Sequence, residues 1–182
     1  MIRSKADLKE YLASDMAFYH AYSKRDRKIL RMANDPVCEI VRYLKFLRKE
    51  EYYANCKPSK IGKLCCLYFF AKKNKLGNRI GFKIPRNTFE QGLSIYHHGS
   101  VIINEHARIG KNARLHGDNC IGNNGTTDQN PVIGDDLDLG IGAKIIGDVK
   151  LGSQVKVGAN AVVTKSFEED GITLVGLPAK KL

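Results

Sequence analysis

The residues of this chain most able to do chemistry are two adjacent histidines, His97 and His98, in the stretch GLSIYHHGSVIINEHARIG. An imidazole ionises near pH 6.5, so at neutral pH it can take a proton from a hydroxyl and hand it to a leaving group. Of the pair, His97 is the candidate base, because it falls on a position that is aliphatic almost everywhere else when the second half of the chain is counted in sixes. His98 would point elsewhere on an extended backbone. His116 and Asp118, in LHGDNCIG, are further ionisable groups for which a neighbouring groove face and a plain surface role are both open. Cys38, Cys56, Cys65, Cys66 and Cys120 form no CxxC and no metal spacing, and their odd number points to reduced thiols in a cytoplasmic protein. No metal is expected.

The element that must position these groups is a hexad. From His97, every sixth residue reads His97, Ile103, Ile109, Leu115, Ile121, Thr127, Ile133, Leu139, Ile145, Leu151, Val157, Val163. Glycine follows at 110, 122, 134, 140, 152 and 158. A period of six suits neither a helix nor a simple alternating strand. It suits a coil with three short sides, each one hexad long, whose aliphatic residues fill a narrow prism. The glycines are expected at corners, with positive φ. The pattern breaks once, at GNNGTTDQNP (122–131), yet Ile121 and Ile133 stay in phase, so this loop serves something other than packing. Thr127 is the hexad position inside it.

Before the prism the pattern is helical. Ser4 with Asp7 reads as a cap, and Asp35-Pro36 pairs a capping acid with proline at the first helical position. A further helix is expected from about Ser59 to Lys75, stopped by Gly77, with short β-like pieces from Arg79 to Tyr96. The expected domains are therefore 1–78, helical, and 79–182, the prism with a tail ending VGLPAKKL. Charge divides in the same way: residues 1–80 hold 19 Lys or Arg against 8 Asp or Glu, while the rest is neutral. A solvated basic surface accounts for this front, and a peripheral membrane contact through its basic helices is the alternative. Nucleic acid is supported by charge alone, without a motif. No apolar run approaches the length of a membrane span.

Three segments resemble the serine acetyltransferase family of left-handed β-helix hexapeptide-repeat acyltransferases: GLSIYHHGSVIINEHARIG, IGDDLDLGIGAKIIGDVKLGSQVKVGANAVV and VGLPAKKL. The resemblance covers about 79–182. It implies a mainly β fold, a left-handed parallel β-helix behind an N-terminal helical assembly domain, in a homotrimer or hexamer with sites between adjacent prisms. It also implies acetyl-CoA as co-substrate and direct transfer of acetyl to a hydroxyl, with His97 as general base and Glu105 as the carboxylate best able to orient it. Asn123 and Asn124 would face the thioester oxygen. Ile141, Gly142, Ala143, Gly158 and Ala159 would line the pantetheine arm, and Lys156 and Lys180 would meet its phosphates.

The acceptor side departs from that family. Tyr96 stands where it has Asp before the catalytic His, Phe82 where it has the orienting Asp, and Asn130 where it has a further His. Tyr96, His98, His116, Asp118 and Asn130 are thus the expected acceptor-binding residues. These departures and the basic front favour a sugar hydroxyl, as on a surface-polysaccharide precursor. L-serine, and a trimeric scaffold without activity, are the alternatives.

Overall fold

The computed structural model describes every residue except Thr127. The front consists of α1 (Lys5–Asp15), α2 (Ala17–His20), α3 (Lys24–Met32), α4 (Pro36–Cys56) and α5 (Lys60–Ile80). The caps are those read from the sequence: Ser4 accepts from the Asp7 amide, and the Asp35 carboxylate accepts from Val37 N–H ahead of Pro36. The expected stop at Gly77 is not there. Gly77 is buried inside α5, where a Cβ would lie 2.4 Å from the Phe82 carbonyl oxygen, so its role is close approach of the helix to the chain that follows. The helix ends at Gly81, in the left-handed region at φ +86.

From Phe82 the chain winds as a left-handed parallel prism. Face I stacks β1 (Phe82–Lys83), β3 (Val101–Ile103), β6 (Asn119–Gly122), β9 (Lys144–Ile146) and β12 (Val162–Val163). Face II stacks β4 (Arg108–Ile109), β7 (Val132–Ile133) and β10 (Lys150–Leu151), with Phe89 bridging to Ile109 and Phe167 to Leu151 at its ends. Face III stacks β2 (Ser94–Ile95), β5 (Arg114–Leu115), β8 (Asp138–Leu139), β11 (Lys156–Val157) and β13 (Thr173–Val175), and β14 (Lys180–Lys181) adds antiparallel to β13. The described hexad residues from Ile103 to Val163 are buried as one core. Each aliphatic side chain removed from water there contributes about 1.5–3 kcal/mol.

Two details differ from the hexad count. The glycines at 110, 122, 134, 140, 152 and 158 do not have positive φ. Left-handed residues fall two positions later, at Asn112, Asp136, Gly142, Gln154 and Asn160, with Asp118 three after Leu115. Asn and Asp tolerate that region better than most residues. Most of the hexad glycines are needed instead for stacking: a Cβ on Gly140 would lie 2.7 Å from the Ala159 amide nitrogen. The second difference concerns His97. Ile95, not His97, pairs with Leu115, so the side leading to Ile103 carries two extra residues and His97 lies outside the core, exposed.

A buried polar cluster joins the front to the first coil. Arg48 donates to Asp15 (2.7 Å), to Glu51 (2.9 Å) and to the carbonyls of Phe89 and Glu90. Asp15 in turn accepts from the Gly92 and Leu93 amides, and Glu51 from that of Asn87. Every buried charge here has partners on both sides of the junction. Removing one would leave another uncompensated, at a cost of about 3–5 kcal/mol.

Candidate active site

The register of face III decides which candidate residues meet. Ile95, Leu115, Leu139, Val157 and Leu174 stack in one column. The residues after them, Tyr96, His116, Gly140, Gly158 and Val175, therefore run down the edge where face III turns into face I. The two extra residues of the first coil form an outward bulge on that edge, at 96–100. Its backbone is fixed: Gly99 N–H donates to the Ile80 carbonyl, Ser100 N–H to Asp118 Oδ1 (2.9 Å), and Val101 N–H to the Gly81 carbonyl.

This arrangement separates the two histidines. His98 Nε2 lies 3.1 Å from the Pro36 carbonyl and 3.8 Å from Glu39, and its ring meets Phe82 edge-on, so it anchors the bulge to α4. His97 projects to solvent over Gly117, where a Cβ would be 3.5 Å from its own. Among the described residues no hydrogen bond or ion pair reaches its ring. Asp118, expected at the acceptor, is occupied as the hydrogen-bond acceptor for Ser100.

One coil along, the Tyr96 ring packs on His116, with centroids 4.9 Å apart. His116 Nε2 lies 2.8 Å from Asp138 Oδ1, and the other Asp138 oxygen takes Arg114 at 3.2 Å. A carboxylate can only accept, so Nε2 of neutral His116 carries the proton and Nδ1 is the basic nitrogen. Asp138 and Arg114 were not singled out in the sequence. The register would have exposed them, since Leu115 stacks on Leu139 and the residues flanking that pair must meet.

Below His116 the edge is bare. Gly140 and Gly158 present backbone, while Ile141 and Ala159 are exposed. Gly142, at φ +72, donates its N–H to the Gly117 carbonyl, and Asn160 N–H reaches the Ile141 carbonyl. Ala143 differs from its expected role: its side chain is fully buried and cannot line a groove. From inside, buried Asn119 accepts from Gly117 N–H and donates to the carbonyls of Gly140 (2.8 Å) and Ala143 (3.2 Å). It thereby sets the spacing of the edge, a function with no sequence signal beyond a polar residue in an apolar slot. Lys156 lies on face III in register with Asp138, and Lys180 on β14 beyond the last coil.

The remaining candidates lie on the edge between faces I and II. Glu105 is exposed, 3.7 Å from His106, and its carbonyl takes Arg108. Asn123, Asn124 and Asn130 belong to the loop leaving β6, with the Asn130 amide donating to the Asp128 carbonyl. Thr127 lies outside the described residues. A strand of three residues, about 10 Å, separates this edge from His97. Glu105 therefore does not orient His97 within one chain, and Phe82, buried against Tyr43, does not replace it. Among the described residues no group of three or more His, Cys, Asp or Glu is arranged to hold a metal.

Three parallel faces stacked on a hexad period behind a helical front make a left-handed β-helix of hexapeptide repeats. No family model matches the chain. It is 33% identical over 88 residues to a serine acetyltransferase of Mycobacterium tuberculosis, a match covering 47% of this chain and 38% of that protein. For one from Staphylococcus aureus the figures are 35% over 100 residues, 54% and 44%. The matched stretch thus spans less than half of these curated relatives. Across 98% of its length the chain follows the serine acetyltransferase fold of Brucella abortus, with a TM-score of 0.74, 18% identity and 70% of that chain covered. The Neisseria gonorrhoeae enzyme in complex with serine gives 0.68 at 25% identity, covering 97% and 70%. A serine acetyltransferase in complex with CoA gives 0.70 at 18%, covering 98% and 71%. In sequence over about half its length the chain resembles serine acetyltransferases, and over nearly all of it the chain shares their fold.

Proposed function

We propose that this chain is an O-acetyltransferase that moves the acetyl group of acetyl-CoA directly to a hydroxyl, with His97 as general base. The observation that carries the reading is the exposed His97 imidazole above an edge stripped of side chains at Gly117, Gly140 and Gly158. His97 takes the acceptor proton as the hydroxyl oxygen attacks the thioester carbon. The tetrahedral intermediate then collapses, the carbon–sulfur bond breaks, and the imidazolium returns the proton to the departing thiolate. Atoms balance without a metal or a covalent enzyme intermediate. His116, held by Asp138, faces the acceptor. The pantetheine arm lies along Ile141, Gly142, Gly158 and Ala159, and Lys156 and Lys180 meet the phosphates.

The loop donors Asn123 and Asn124 reach the thioester oxygen from the next prism of a homotrimer, since their edge is not that of His97. On this reading residues 79–182 carry the chemistry, residues 1–78 support assembly, and the protein works in the cytoplasm with its five free thiols reduced.

L-serine is the acceptor that the relatives support, and it replaces the sugar favoured by the sequence departures as the leading reading. One observation keeps a sugar as second: Tyr96 and buried Phe82 remove the two carboxylates that the family's acceptor side would supply. Thiol release from acetyl-CoA, measured with purified protein against L-serine and a panel of sugars, separates them. Turnover with L-serine lost in His97→Ala is the expected result; turnover only with sugars overturns the leading acceptor, and release unchanged in His97→Ala overturns the base.

A further inference from the structure

The inner face of α5 buries Gly62, Lys73, Leu76, Gly77 and Ile80. Its opposite face would ordinarily be polar. Instead Ile61, Leu64, Leu67 and Tyr68 are exposed there, at 76, 67, 60 and 53%. Their spacing puts them on one stripe over the first turns of the helix. Farther along, the same face becomes cationic through Lys72, Lys75 and Arg79, and α5 contains no Asp or Glu.

Beside this stripe runs a cationic groove. One cleft of about 350 Å³ is lined by Arg31, Arg42 and Lys45 with Tyr19, and a second of about 280 Å³ by Arg42, Lys72, Lys75 and Arg79 with Phe46. Arg42 lines both, so the two clefts adjoin at its side chain. Among the described residues only Arg79 of these cations has a carboxylate partner, Glu39. Partial burial, then the nearby charges of Arg31 and Lys49, depress Lys45 below the usual lysine range.

We propose that the outward face of α5, together with this groove, docks the protein on a bilayer surface containing anionic phospholipid. The partner must offer both negative charge and an apolar layer. A second copy meeting this face through the same surface would set cation against cation. One meeting it head-to-tail would bring either the same basic front or a prism with 11 Lys or Arg against 11 Asp or Glu, neither of them net negative. A nucleic acid would satisfy the cations and leave Leu64 and Leu67 in water. A lipid surface supplies phosphates to the groove and acyl chains to the stripe, the combination that holds amphipathic helices in an interface. Among the described residues no helix is long and apolar enough to cross the membrane, so the contact is peripheral. The inference stands on charge and exposure and does not depend on acetyl transfer.

The test is flotation of the full chain with vesicles of phosphatidylcholine, alone or with about 30% phosphatidylglycerol. Binding should be about ten-fold stronger or more with phosphatidylglycerol and fall steeply as salt is raised to about 0.5 M. Leu64→Glu with Leu67→Glu, and separately Arg42→Glu with Lys75→Glu, should each weaken it by about ten-fold or more at an unchanged melting temperature. All these residues are exposed, so the fold should survive. Absence of vesicle binding overturns the proposal, as does binding indifferent to the leucine pair. It is equally overturned if the leucine pair halves the particle mass without lipid, because a second copy then covers the face. Displacement by single-stranded RNA with no effect of the leucine pair assigns the groove to nucleic acid instead.

Discussion

The two edges that border face I are built from the same repeat and do opposite things. Where face III turns into face I, small residues keep the outline bare and the ionisable groups are held: His116 by Asp138, the His97 bulge by Asp118 and His98. Where face I turns into face II, the chain throws out its loop and Glu105 stands exposed with a weak His106 contact. A prism can spend one edge on binding and another on reach, but one chain cannot bring both to the same point. On the proposed reading, a complete site draws one edge from each of two chains.

The comparison breaks most visibly at His97. His97→Ala should lower kcat about 10²–10⁴-fold while leaving the fold intact, measured by thiol release and circular dichroism. A loss below about three-fold would remove the base from the III/I edge. Sharing between chains is tested by complementation. His97→Ala and Asn123→Ala/Asn124→Ala chains, each weak alone, should regain part of the wild-type rate when co-assembled; no recovery would place both edges in one chain's site.

Asp138→Asn should come next, with a loss of about 10–100-fold, by analogy with removal of the carboxylate that orients a metal-bound histidine. A rise in acceptor KM with unchanged acetyl-CoA KM marks His116 as acceptor-facing; a drop in melting temperature with unchanged kinetics makes the pair structural. Ala159→Leu should raise the acetyl-CoA KM about ten-fold, as expected for an exposed methyl replaced by a bulk that fills the groove. Glu105→Gln should be the mildest, within about two-fold, as for an exposed surface carboxylate. A large loss there would show that Glu105 reaches the base of a neighbouring prism.

Most of the framework was legible because a hexad is hard to imitate. Ile121 and Ile133 kept phase across the loop, and the faces formed as that phase required. What the count could not see was a side of eight residues, since adding two to a hexad still leaves an aliphatic residue close to each expected position. The count puts His97 on the hexad, whereas Ile95 takes that place in the column and His97 lies outside it. Gly77 was read as a helix stop because its conformational freedom is visible in a sequence, whereas the approach of Phe82 is not. The Asp138–His116 contact was hidden by distance along the chain, although stacking Leu115 on Leu139 predicts it.

Asn119 gives the edge a mechanical property. Its single side chain bonds the backbones of two successive turns at Gly117, Gly140 and Ala143, on the side away from solvent. The groove floor is thereby calibrated from within, and mutations on the outer surface can reshape the groove without changing the spacing. The loop after β6 leaves from the opposite side of face I and returns in phase. Its length can therefore vary by insertion or deletion while the calibration persists, so the loop and the groove floor are free to evolve separately.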